Sequence, residues 1–123
     1  MSTFISERLN SIDIIREELL KELKEVELKL CCIEEVISLC TSEPDSPLTK
    51  SFLQARSDLT VAIAKIENAI LEKIAGQIER LQLEVKASIS SLNNELEKPE
   101  NKNALLDALH KVIGIAARIL LQV

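Results

Sequence analysis

From Ile5 to Cys40 the chain returns to the same kind of position every seven residues, at Ile5, Ile12, Leu19, Val26, Ile33 and Cys40. A second column, Leu9, Arg16, Leu23, Leu30 and Ile37, runs beside it four residues along. Two columns offset by three and four residues mark a helix that packs along its length on another helix. Only Arg16 breaks the pattern. A charged side chain at such a position either snorkels to solvent or fixes register at some cost in stability. Arg16 is therefore the register candidate, expected to pair with a glutamate on a neighbouring helix or across a dimer.

The rest of the chain reads as partners for this seam. Its 123 residues suit one all-helical domain spanning 1–123. Two phenylalanines are the only aromatic residues, and Gly and Pro number two and three. This is the composition of long packed helices with few turns. The expected architecture is all-α, a long antiparallel hairpin of helices at about 3–41 and 47–97 with a shorter helix at about 104–122 folded back on it.

The breaks carry ordinary helix punctuation. Thr41 to Ser46 is polar, and Ser46 before Pro47 fits an N-cap followed by proline at the first helical position. Pro99 ends the second helix, and Asn101 or Asn103 caps the third. Within the second helix Ala55, Ala62 and Ala69 recur at sevens and Gly76 continues the count, which predicts close helix packing there. Beyond Ile66 the stripe steps by fours through Ile70, Ile74 and Ile78, the mark of a stutter in a continuous helix.

Pairing by length from a turn near residue 44 sets residue 52 against 37, 66 against 23 and 85 against 4. One end of such a molecule has three helices and the other only two. Ile14, Ile15, Leu20, Leu28, Val36, Leu39 and Ile115 then lie off the seams. They are the interface candidates, and an up-down bundle completed by dimerisation would cover them.

Few residues suggest chemistry. No phosphate loop, metalloprotease helix or serine elbow is present, so no catalytic, cofactor-binding or metal residue is assigned and the chain is read as a non-enzyme. The nearest motif is Asp107 with His110, an i,i+3 pair of the spacing used in di-iron bundles, here single and at the rim of the apolar stripe. Cys31, Cys32 and Cys40 read as reduced thiols, since the sequence shows no export signal. A net charge of −5 argues against nucleic acid as a partner.

The expected function is a cytoplasmic helical protein–protein interaction module, a scaffold or regulator, forming a homodimer and engaging a further protein partner. Two other readings compete with it. One is membrane-surface binding through the apolar run Val112 to Val123, weakened by its having only Lys111 and Arg118 as local positive charge. The other is a metal or small-molecule site inside a helical bundle.

Overall fold

The computed structural model describes residues 3–121, with side-chain surroundings from residue 6 onward. Five helices follow in order: α1 (Thr3–Cys32), α2 (Glu34–Ser42), α3 (Pro47–Asn68), α4 (Leu71–Glu97) and α5 (Lys102–Ile119). The described residues are all-helical apart from their links, as the sequence predicts.

Both long interhelical breaks fall where the sequence places them. The Ser46 side chain accepts a hydrogen bond from the Thr49 amide at 3.1 Å, and Pro47 opens α3. Thr49 is itself buried, and its hydroxyl donates to the Glu43 carbonyl at 2.6 Å, closing the α2–α3 turn. Asn101 caps α5 by accepting from the Ala104 amide at 3.0 Å.

Each of the two expected long helices is interrupted. Ile33 leaves the helical region, with φ −73° and ψ 122°, and separates α1 from α2. The turn after it is rotated, so Val36 and Leu39 are buried while Ile37, on the expected seam, is 48 % exposed. The second correction is larger. Ala69 (ψ 147°) and Ile70 (ψ 121°) are extended, and the helix expected over 47–97 is two helices.

The chain reverses at this link. Lys24 pairs with Glu67 and Glu27 accepts from Thr60, so α1 and α3 are antiparallel. Arg8 pairs with Glu79 and Lys29 donates to Asn93, so α1 and α4 run in the same direction. α1 packs on α3 and α4, and α5 packs on the same two. The result is a four-helix up-down-up-down bundle in which α3 and α4 lie across one diagonal, α1 and α5 across the other. The expected pairing of residue 85 with residue 4 and the expected two-helix end are both replaced. Four helices share the cross-section without a second chain.

One apolar core runs through all five helices. In α1 it takes Ile12, Leu19, Leu23, Val26 and Leu30 from the two sequence columns. In α3 it takes Phe52, Leu59, Ile66 and the small residues Ala55 and Ala62. In α5 Leu105, Leu109, Val112 and Ile119 are almost completely enclosed between α3 and α4. Leu109 and Ala116 are buried as expected, and Ile113 is half-buried. Their neighbours are α4, which is the second half of the expected second helix, and α3, where the sequence pointed to the first turns of α1. The Ile5 side chain, Gln122 and Val123 lie outside the described residues.

The small-residue column ends before Gly76. Ala55 and Ala62 pack, Ala69 is half-buried at the end of α3, and Gly76 is exposed. A Cβ added at Gly76 meets nothing within 4 Å. The helix is continuous through Gly76, but no neighbour approaches it there, because the reversal six residues earlier has rotated the column away from its partner.

Candidate interaction surface

The bundle absorbs most of the apolar surplus that the sequence left unassigned. Leu20 is 8 % exposed, Leu39 6 %, Ile115 6 % and Val36 5 %, so these four candidates belong to the core of a single chain. Ile15 is half-buried against α4, near Ile78 and Val85. Ile14 and Leu28 remain on the surface, at 61 % and 66 % exposure. They lie on α1 a whole number of heptads apart, on its outer line, with Leu28 at the edge of a groove shared with α3.

Charged residues fill the space between them. Glu17, Glu18, Lys21, Lys24 and Glu25 are all exposed on the same two turns. Toward α3 this line falls into an open groove of about 700 Å³, where Leu28 and Cys31 face Ile63 and Ala64. Lys24 and Glu67 bridge the groove at 2.6 Å, and Thr60 donates across it to Glu27. Both partners of the Lys24–Glu67 pair are about half exposed, so the pair contributes little to stability and can rearrange.

Sequence reasoning missed the α3 side of this groove. In the expected hairpin this part of α3 had only one neighbouring helix, and Ala64 carried no reading of its own. It also passed over Leu83, at 77 % exposure, which falls off the stripe carried by Leu81, Val85 and Ile89.

Arg16 has a different partner from the one expected. Its guanidinium donates to Asp13 at 2.6 Å and to the Ala69 carbonyl at 2.9 Å. Ala69 is the C-cap residue of α3, where carbonyls have lost their helical partners. The arginine thus reaches from the α1 seam to the corner where α3 turns into α4. Among the described residues of this chain no glutamate pairs with it.

Asp107 and His110 are both exposed on α5. Among the described residues no group of three or more His, Cys, Asp or Glu is placed to hold a metal ion. Nor is any described helix long and apolar enough to cross a membrane. The apolar face of α5 is spent on the bundle, so surface binding through that helix would require it to unpack. Cys31 and Cys32 are exposed and Cys40 is half-buried, all three as free thiols.

No protein-family model matches the chain, and no curated protein or solved structure matches it.

Proposed function

We propose that this chain is a non-enzymatic helical interaction module, a scaffold or regulator, that associates with itself as a homodimer and presents a helix surface to a protein partner in the cytoplasm. The observation that carries the reading is the pair Ile14 and Leu28, left more than half exposed on one line of α1 after the core is complete. Isolated apolar residues on a surface are ordinary. Two on one helix line, beside a groove floored by Ile63 and Ala64, form a contact surface of the kind helices use to pair. The free exposed thiols Cys31 and Cys32 suit a reducing compartment.

Static light scattering of the full chain from micromolar to millimolar concentration tests self-association. A rise in mass toward twice 13.7 kDa is expected. A strict monomer across that range removes the main support for the reading.

A further inference from the structure

We propose that the α3–α4 corner is a hinge, and that two copies of this chain exchange their α4–α5 halves through it, each opening residues 47–97 into one continuous helix. The proposal rests on the self-association reading above and supplies the mechanism by which the second copy is held.

At this corner the local pattern and the observed path disagree. Ala69 and Ile70 are extended, at ψ 147° and 121°, yet neither is a glycine or proline that would stop a helix. Ile66, Ile70, Ile74 and Ile78 step by fours straight across the link. In the closed chain Ile66, Ile74 and Ile78 are enclosed, whereas Ile70 is 55 % exposed. A continuous helix returns Ile70 to the stripe.

The corner also leaves helix ends open. Ile70 caps α4 with no side-chain hydrogen bond, and α3 ends on an extended Ala69. The Lys73 amide reaches back to the Ile70 carbonyl at 3.0 Å, and Arg16 holds the Ala69 carbonyl at 2.9 Å. Joining α3 to α4 gives the amides and carbonyls of this junction regular i to i−4 partners. Against that gain stand the loss of the Arg16 clasp and, in one chain alone, of the packing between the two halves.

A second copy restores that packing. α3 and α4 lie across a diagonal of the bundle, so the halves are joined chiefly by α1 on α4 and by α3 on α5. When α4 and α5 swing out together, their mutual interface stays intact, as does that of α1 with α3. The α1–α4 and α3–α5 interfaces then re-form between chains from the same residues. Exchange of identical elements closes as a two-fold dimer. Two antiparallel helices, each spanning residues 47–97 and about 75 Å long, connect two four-helix lobes. The dyad crosses at the link, so the exposed Ile70 of one copy approaches Ile70 of the other.

The test uses sedimentation equilibrium of the full chain after long warm incubation at high concentration. Ile70→Pro separates the two forms. The Ile70 φ of −69° is that of proline and Ala69 before it is extended, so proline fits the closed corner but breaks a continuous helix. It should raise the dimer dissociation constant at least about a hundredfold and leave the melting temperature of the monomer near that of wild type. Arg16→Met unclasps only the closed form and should lower the constant at least about tenfold. A short bis-maleimide, applied to the isolated dimer in a Cys31→Ser, Cys32→Ser, Cys40→Ser background, reads the exchange directly. Arg8→Cys with Glu79→Cys replaces an α1–α4 ion pair and should give covalent dimers on a denaturing gel. Lys24→Cys with Glu67→Cys replaces an α1–α3 ion pair and should link within one chain. The cross-link decides even where Ile70→Pro fails to fold. A dimer linked within one chain at both pairs overturns the exchange while leaving self-association standing. A wild-type chain that is monomeric throughout overturns both.

Discussion

Gly76 and Gly114 both lie inside helices on exposed turns, and an added methyl group at either meets nothing within 4 Å. Glycine in a helix costs conformational entropy that alanine does not. Gly76→Ala and Gly114→Ala should each stabilise the chain by about 0.5–1 kcal/mol. Thermal melts read this as a rise of several degrees per substitution. Ala62 shares the heptad column of Gly76 but is buried, at 7 % exposure. Ala62→Leu should destabilise by about 1–3 kcal/mol through overpacking, and Lys65→Leu on the exposed side by far less. Equal melting temperatures for those two variants would contradict the packing of α3. A loss of stability in Gly76→Ala would contradict the open space beside α4.

At the scale of the elements, the two-residue link between α3 and α4 decides the topology. It has no proline or glycine, and Ile70 caps α4 without a side-chain hydrogen bond. What holds it is Arg16, through the 2.9 Å bond to the Ala69 carbonyl. Arg16→Met keeps most of the side-chain stem and removes that bond. A hydrogen bond to a charged group is worth about 1.5–3 kcal/mol when the site is protected from solvent. The Arg16 side chain is 17 % exposed, so a loss of about 1–2 kcal/mol is expected. Amide exchange in the first turns of α4, at Ile74 and Ala75, should accelerate more than exchange at Leu92. Uniform exchange rates relative to wild type would show that the corner does not depend on the arginine. The break at Ile33 has no such clasp. There the Ile37 amide simply resumes the helical pattern by donating to the Ile33 carbonyl at 3.0 Å.

For the whole molecule, α5 is one of the four walls. Removing everything after Pro99 would expose Ile78, Leu81, Val85, Ile89 and Leu92 of α4 and the facing side of α3. Each aliphatic side chain contributes about 1.5–3 kcal/mol when fully buried, against a net stability of about 5–15 kcal/mol for a domain of this size. The fragment 1–99 should therefore aggregate or become molten, with loss of a sharp thermal transition. A membrane-anchor role for α5 makes the opposite prediction, a well-folded core that has lost only lipid binding. A cooperative melt of 1–99 near that of the full chain would refute the placement of α5 inside the bundle.

The local signals of this fold were legible along the chain. Heptad columns identified the buried residues of α1 as far as Leu30, Leu20 excepted. Ser46–Pro47, Pro99 and Asn101 marked helix ends, because caps and proline act within a few residues of themselves. The reversal at Ala69–Ile70 left only a trace, the four-residue steps from Ile66 to Ile78, which a stutter in a straight helix explains equally well. No local preference distinguishes the two. The choice is made by burial at long range, since folding α4 back beside α1 encloses Ile74, Ile78 and Leu81 between α1 and α5. The interface candidates divided for the same reason. Periodicity determined that Ile14, Leu20, Leu28, Val36, Leu39 and Ile115 lay off the first seams. Only the tertiary structure, by supplying a third and fourth helix, decided that Leu20, Val36, Leu39 and Ile115 go inside and that Ile14 and Leu28 stay out.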